Sequence, residues 1–186
     1  MSGDFQAIAD RVEIEALRGE FTDSVMMRDY DRVASLFTSG GALRMPNVPV
    51  ELTGQEQIRE WGGRVPKFVE FLVQNTHPGI IQLDGDAASG RAYMSEVIRL
   101  LDGTSELNYA IYHDRYRRTA DGWKFTERVY EVRYHDTSPL AGSPPTPNRV
   151  DVRMAGRPSR PDRSGPARPR RTRWPRAPPG HASRYG

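Results

Sequence analysis

Three Asp-Gly pairs divide the second half of the chain into β-rich runs. They stand at Asp84-Gly85, Asp102-Gly103 and Asp121-Gly122. An Asp-Gly pair between two such runs is a strong hairpin signal, because it accepts the positive φ angles of a type I′ turn. The pattern therefore predicts an antiparallel meander of four strands, at residues 79–83, 87–101, 106–118 and 123–135.

The first half of the chain has helical periodicity instead. Ile14, Leu17, Phe21 and Val25 recur at helical spacing and predict an amphipathic helix over residues 4–27. Three shorter helices are predicted. The first lies around residues 33–37 and is ended by Ser39-Gly40-Gly41, the second runs from residue 55 to a break at Gly62-Gly63, and the third covers residues 65–73. A short strand is predicted at residues 42–45. Helices followed by a meander predict an α+β layer fold.

The two faces of the predicted strands are chemically mixed. Strict alternation places Trp123 and Phe125 on one face of the last strand, and Arg128 and Tyr130 on the other. Neither face is purely apolar. Mixed faces of this kind are typical of a curved sheet that covers helices at one end and lines a pocket at the other.

Charge separates an acidic body from a basic tail. Residues 149–186 contain eleven arginines and two aspartates and carry a formal net charge of +9, whereas residues 1–148 carry −6. The tail has almost no large aliphatic residues, so we expect a folded domain at residues 1–142 and a disordered Arg/Pro-rich tail at 143–186. The tail either binds nucleic acid weakly through phosphate contacts or is a solvated segment, and we favour the second interpretation.

Several classes of protein are excluded by missing features. The chain has no cysteine, no apolar run long enough to span a membrane, and no basic, apolar leader at Met1–Phe5. It has no phosphate-binding glycine loop, and His77, His113 and His135 lack the spacing of metal ligands. We expect a cytoplasmic protein without a nucleotide cofactor or a metal site.

The segments Met26–Phe37 (MMRDYDRVASLF) and Tyr116–Val129 (YRRTADGWKFTERV) carry a family resemblance. Together with the first helix and the Asp-Gly-Asp turn they resemble the SnoaL-like branch of the nuclear transport factor two-like superfamily, over about residues 4–142. The resemblance implies a cone, in which N-terminal helices pack on a strongly curved antiparallel sheet and a pocket lies between them.

The resemblance to the dehydratase and dehydrochlorinase members implies individual site residues. Their catalytic His corresponds to His77, and a pocket Arg on the last strand corresponds to Arg128. The Asp that supports the His in those enzymes is replaced here by Met26, so we expect Asp23, one helical turn earlier, or else Glu96 to take its place. The predicted catalytic set is therefore His77, Arg128 and Asp23.

Apolar and aromatic residues are the candidates for the pocket wall. We expect substrate-binding contacts from Met26, Met45, Trp61, Phe68, Tyr93, Tyr109 and Tyr112. Each also has an ordinary interpretation as core or sheet packing, and Arg128 could equally be a surface residue paired with Asp114 or Glu131.

The sequence predicts a pocket for a small, largely apolar molecule that carries one or two oxygens. The expected chemistry is proton transfer without a cofactor, of the dehydratase, isomerase or cyclase type. Two alternatives stay open: a non-catalytic cone that binds a ligand or partner, and an assembly subunit similar to the small β-subunits of ring-hydroxylating dioxygenases. We expect a homo-oligomer, dimer or trimer, as is usual in the resembled family, and no association with a membrane.

Overall fold

A computed structural model describes residues 2–142. The chain divides into two units, residues 1–145 and 146–186, and the predicted disordered tail at 143–186 lies outside the described residues. The helices are α1 (Ser2–Met26), α2 (Tyr30–Ser35) and α3 (Gln55–Gly62), with a single 3₁₀ turn at Val65–Lys67. The strands are β1 (Phe37–Met45), β2 (Val50–Thr53), β3 (Val69–His77), β4 (Ile81–Asp84), β5 (Ala87–Leu100), β6 (Ser105–Thr119) and β7 (Gly122–Asp136).

The strands form one curved, open sheet in the order β2-β1-β7-β6-β5-β3, with β4 also paired to β5. This confirms the α+β cone and the four-strand meander, β4 to β7. The sheet is antiparallel except at one pair, since β1 runs parallel to β7 and makes the sheet mixed. Helices α1 and α2 come first in the chain, and β1 then pairs with β7 at one edge of the meander, before α3.

The three Asp-Gly turns lie where they were predicted, but their geometry differs from type I′. Gly85, Gly103 and Gly122 have positive φ, whereas among the described non-glycine residues only Arg28 does. A type I′ turn needs positive φ at both central residues. Glycine alone therefore supplies the left-handed conformation, and at Asp102 the aspartate instead accepts a hydrogen bond from the backbone of Thr104.

One predicted helix, over residues 65–73, lies largely in a strand, and one predicted helix stop lies inside another strand. Residues 69–77 pair with β5 as an antiparallel edge strand, although Phe68, Phe71 and Leu72 also fit helical spacing. The predicted stop at Ser39-Gly40-Gly41 lies within β1. A Cβ atom on Gly41 would lie 2.9 Å from the backbone oxygen of Phe125, so this glycine permits close approach of β1 and β7.

A bulge in β7 overturns the predicted division of its faces. The register between β6 and β7 shifts between Arg115 and Tyr116, which adds a residue to β7 between Phe125 and Glu127. Trp123 and Phe125 consequently share the buried face with Arg128 and Tyr130. The concave face of the sheet thus combines aromatic rings with charged and polar groups.

Helix α1 covers the narrow part of the concave face. Ile14, Leu17 and Phe21 are buried against the sheet, and the Phe21 ring makes edge contacts with Phe37 and Phe125. Since α1 ends at Met26, it leaves the far end of the concave face to other elements.

Among the helices of residues 2–142, none has the length and the apolar character needed to cross a membrane.

Asp10 anchors the first half of α1 to the sheet. Its carboxylate accepts a hydrogen bond from Nη2 of Arg118 at 2.6 Å and one from Nε1 of Trp123 at 3.3 Å. The hydrogen bond from Arg118 is the largest influence on the carboxyl group and lowers its pKa from 3.8 to about 2. A carboxyl group whose pKa is lower in the folded state stabilises that state above its unfolded pKa.

We therefore predict that Asp10→Asn destabilises the protein at neutral pH but not in strong acid. The contribution of Asp10 to the free energy of unfolding should be complete above about pH 4 and should disappear as the pH falls toward about 2. Urea unfolding of wild type and variant between pH 2 and 7 measures the difference. The exposed Asp86, which also contacts Arg118, is the control: Asp86→Asn should change stability by less than about 1 kcal/mol. A pH-independent effect of Asp10→Asn would contradict the prediction.

Candidate functional site

A buried ion pair occupies the centre of the concave face. Arg128 in β7 donates from Nε and Nη2 to the two carboxylate oxygens of Asp114 in β6, at 2.7 and 2.8 Å. Both side chains are fully buried. The guanidinium carbon lies 4.0 to 4.3 Å from the ring centres of Phe21, Tyr112 and Phe125. Burial is the largest single influence on Arg128 and lowers its pKa. The charge and hydrogen bonds of Asp114, together with the nearby phenols, outweigh burial, so the pKa of Arg128 is raised.

The ion pair extends toward α1 through a phenol. Tyr116 donates to Asp114 at 2.7 Å and accepts from Nε of Arg18 at 2.8 Å. Burial is the main cause that raises the pKa of Tyr116, and the negative charge of Asp114 adds to it. The phenol therefore stays protonated and connects the α1 arginine to the sheet. Arg128 Nη1 has no hydrogen-bond partner among residues 2–142.

A second polar cluster lies on the concave face at the level where α1 ends. Glu96 in β5 accepts hydrogen bonds from Tyr130 Oη at 2.5 Å and from Asn108 Nδ2 at 3.1 Å. Gln74 Nε2 lies 3.5 Å from the other carboxylate oxygen of Glu96 and donates to Tyr112 Oη at 3.0 Å. All five side chains of this Glu96 cluster are buried, and Gln74 Oε1 has no hydrogen-bond partner in the described part of the chain.

A groove of about 560 Å³ runs between α1 and β3 and reaches this cluster. Its α1 wall includes Gly19, Thr22 and Met26, and its β3 wall is formed by residues 74–78. Thr22 and Thr76 bridge the walls through their hydroxyls at 2.7 Å, and Met26 Sδ lies 3.1 Å from the backbone nitrogen of Gln74. Gln74 therefore belongs both to the groove wall and to the Glu96 cluster.

The structure separates the predicted catalytic residues. His77 lies at the rim of the groove, and its side chain is exposed and makes no hydrogen bond within residues 2–142. Asp23 also lines the groove, but its carboxylate is paired with Arg32 of α2, so no hydrogen bond joins it to His77. Arg128 pairs with Asp114, as one interpretation of the sequence had it, but in the core and not on the surface.

The predicted wall residues lie in three different places. Tyr112 is on the concave face within the Glu96 cluster, and Met26 lines the groove. Met45 is partly buried against the core, Trp61 is partly buried on α3, and Phe68 is 44% exposed. Tyr93 and Tyr109, 47% and 53% exposed, occupy the opposite, convex face of the sheet. The two exposed tyrosines therefore do not line the groove.

Sequence reasoning named Glu96 but missed Gln74, Asn108 and Tyr130 around it. Gln74 was hidden because it directly follows a segment, residues 65–73, that was predicted as helix and not as the start of β3. Alternation on β6 places Asn108 with Tyr112, and the register then places Gln74, Glu96 and Asn108 in one row across three strands. The detectable signal was this row of polar residues at inward positions.

Comparisons with known proteins agree with this architecture. The sequence profile of the SnoaL-like domain matches residues 6–129. No curated protein sequence matches the chain.

Solved structures give the same picture. A candidate aromatic ring hydroxylase from Novosphingobium aromaticivorans is 25% identical and has a TM-score of 0.65, over 69% of this chain and 93% of its own. A hexachlorocyclohexane dehydrochlorinase, LinA type 2, is 21% identical with a TM-score of 0.69, over 79% and 99%. A candidate scytalone dehydratase from N. aromaticivorans is 16% identical with a TM-score of 0.65, over 74% and 97%. The last two likenesses show the fold alone.

We predict that the Arg128–Asp114 pair is required for stability. Arg128→Met keeps the apolar bulk but removes the two short hydrogen bonds to buried Asp114 and leaves it, as its one charged contact, the longer one with Arg18 Nε at 3.7 Å, which costs about 3–5 kcal/mol. The double variant Arg128→Met/Asp114→Leu should recover much of that loss, because both charges of the pair are then removed and Arg18 keeps its ion pair with Glu15. Urea unfolding measures both, with the exposed Arg133→Met as control. A loss below about 1 kcal/mol for Arg128→Met would show that the charge of Asp114 is compensated elsewhere.

Proposed function

Because this chain belongs to the SnoaL-like domain family, we propose that it binds a small, largely apolar, oxygen-bearing molecule in the groove between α1 and β3 and transfers a proton on it. The family and its cone support a small-molecule pocket protein. The observation that carries the choice of groove is Gln74, which belongs to the groove wall and whose buried side-chain carbonyl oxygen has no hydrogen-bond partner among residues 2–142.

The groove combines the features of a small-molecule site. Met26 and Met27 supply flexible apolar surface, and the Thr22–Thr76 hydroxyl pair and Gln74 supply a few fixed polar groups. Apolar walls with a few oriented polar groups are typical of ligand pockets. A ligand with one hydroxyl or amine donor would satisfy the free oxygen of Gln74 and bury its hydrocarbon part against the methionines.

Proton transfer without a cofactor is the chemistry we propose for this site. The printed names of two similar structures, a dehydrochlorinase and a candidate scytalone dehydratase, support an elimination or a related reaction. His77 at the rim of the groove is the proton-transfer residue that the family resemblance implies, and Asp23 lies in the same wall. Arg128 would act behind the site, by fixing Tyr112 through the contact of its guanidinium with the ring.

Ligand binding without catalysis is the alternative that the helix α1 sequence favours. Met26 stands where the resembled enzymes have an Asp, and Asp23 is engaged by Arg32. A compound that binds the groove and is recovered chemically unchanged would favour this alternative.

We predict that filling the groove at Gly19 weakens ligand binding without loss of stability. A Cβ atom at Gly19 meets no other atom within 4 Å, so a larger side chain extends into the groove from a helical position. Gly19→Trp should weaken binding of 1-naphthol or 2-tetralone at least about tenfold, which corresponds to about 1.4 kcal/mol. Ligand-observed NMR titration measures this.

Gly19→Ala is the matched control. It should retain binding and raise the free energy of unfolding by up to about 1 kcal/mol, because alanine favours helix over glycine. Equal affinity in wild type and Gly19→Trp would place the ligand elsewhere and reject the groove as the binding site.

We also propose that the convex face of the sheet forms a homo-oligomer interface. Val73, Tyr93, Tyr109 and Tyr134 are exposed there, and the rings of Tyr109 and Tyr134 pack edge to face across neighbouring strands. Clustered exposed aromatic residues on one face favour association. The similarity to a candidate aromatic ring hydroxylase supports the alternative, an assembly subunit whose convex face binds a larger, iron-containing chain.

The mass of the protein in solution tests the proposed homo-oligomer directly. Light scattering should give the mass of a dimer or trimer for the full chain, and Tyr109→Lys should lower it to that of a monomer, because a charge is then buried at the interface. Val48→Lys, at an exposed position in the β1–β2 turn, is the control and should leave the mass unchanged. A monomeric wild type would reject the homo-oligomer and favour the larger partner chain.

A further inference from the structure

Glu96 is a carboxylate held in the protein interior without a counterion. It is 7% exposed, and no arginine, lysine or histidine of residues 2–142 lies within 4.0 Å of it. Buried carboxylates are normally paired with a cation or bound to a metal, because removal from water is costly. Glu96 instead depends on the phenol of Tyr130 and the amides of Asn108 and Gln74.

The donors orient the carboxylate without neutralising it. Asn108 and Tyr130 both donate to Oε1, whereas Oε2 has only the longer contact with Gln74 at 3.5 Å. Burial and the adjacent negative charge of Glu96 raise the pKa of Tyr130, so the phenol remains a hydrogen-bond donor. The Oε2 atom therefore keeps lone-pair capacity on the side of Gln74, which is the groove side.

The position of Glu96 in the sheet places it directly beside Gln74, a residue of the groove wall. It pairs directly with Gln74 in β3 and with Asn108 in β6, so its side chain and theirs project from one row of the concave face. Met26, the last residue of α1, contacts the backbone of Gln74. The helix thus ends at this row and does not cover it further. In contrast, His77 is exposed at the rim.

We propose that Glu96 is the proton acceptor of the groove, taking a proton from an acidic C–H of the bound oxygen-bearing molecule. This deepens the proposed function and rests on it. The C–H bond breaks and its electron pair forms a new π bond as a leaving group departs with its own bonding electrons. The proton moves to Oε2 of Glu96 and from there to solvent. Proton removal by a positioned side chain typically accelerates a reaction by about 10²–10⁴-fold.

The test uses 5-nitrobenzisoxazole, a small aromatic probe with one acidic C–H. A base removes the proton from C3, and the electron pair of the C–H bond forms the third bond of a nitrile. The N–O bond breaks at the same time, and the oxygen leaves as a coloured phenolate. We expect saturable turnover by the full-length protein, and a loss of about 100-fold or more in Glu96→Gln. Glu131→Gln is the matched control, since Glu131 follows Tyr130 in β7 but pairs with Arg133 away from the groove.

Binding is measured separately with 5-nitrobenzoxazole, an isomer without the N–O bond. If the isomer binds and Glu96→Gln turns over the probe as fast as wild type, Glu96 is not the base and the groove proposal stands. Loss of turnover in His77→Ala but not in Glu96→Gln would also overturn the proposal, because it would show that His77 and not Glu96 accepts the proton. Failure of the isomer to bind would overturn the proposed function and the inference with it.

A second variant keeps the test valid if Glu96→Gln does not fold. Glu96→Asp retains the charge but withdraws the carboxylate from the groove by one methylene. It should bind the isomer as wild type does and turn over the probe at least about tenfold more slowly. A purely structural Glu96 would lower stability in both variants with no selective loss of turnover.

Discussion

The buried pair of Arg128 and Asp114 is the interaction on which the rest of the molecule depends. It places two full charges in the middle of the concave face, and three aromatic rings surround the guanidinium. Because neither charge can be left alone in the interior, β6 and β7 are held in one register. Tyr116 and Arg18 then hold α1 against the sheet at the same level. The position of α1, and with it the groove, follows from this pair.

The concave face therefore carries two polar sites with different tasks. The ion pair, with Arg18 Nε 3.7 Å from Asp114, serves the architecture, and Arg128 Nη1 is its one atom without a hydrogen-bond partner among residues 2–142. The Glu96 cluster lies just past the end of α1 and contains a carboxylate that forms no ion pair within the described part of the chain. A residue type that burial normally disfavours is retained there. Such an arrangement is typical of reactive sites, where stability is sacrificed for an oriented charge.

Much of the fold could be predicted from the sequence, because local signals were consistent over long stretches. The meander followed from the glycine turns, and α1 from its apolar spacing at Ile14, Leu17 and Phe21. Residues 65–73 were predicted as helix although 69–73 begin β3, since the pairing of this strand with β5 is a long-range contact that no local pattern records. The bulge between Phe125 and Glu127 was also invisible to local patterns. Because it inserts one residue, it brings Arg128 and Tyr130 to the same face of β7 as Phe125. Likewise, Asp23 and His77 are close enough to share a groove, yet Arg32 of α2 engages the aspartate, a competition that spacing alone does not show.

The parallel pairing of β1 with β7 has a consequence for the order of folding. Leu43 pairs with Arg128, ~85 positions further along the chain, whereas the hairpins of the meander join neighbours. Closing so long a segment costs more conformational entropy than closing a hairpin. The meander can therefore assemble first, and β1 joins its free edge last. Until then, the edge of β7 offers unpaired backbone groups to any other extended chain, so the nascent protein is most vulnerable to aggregation at the strand that carries Arg128.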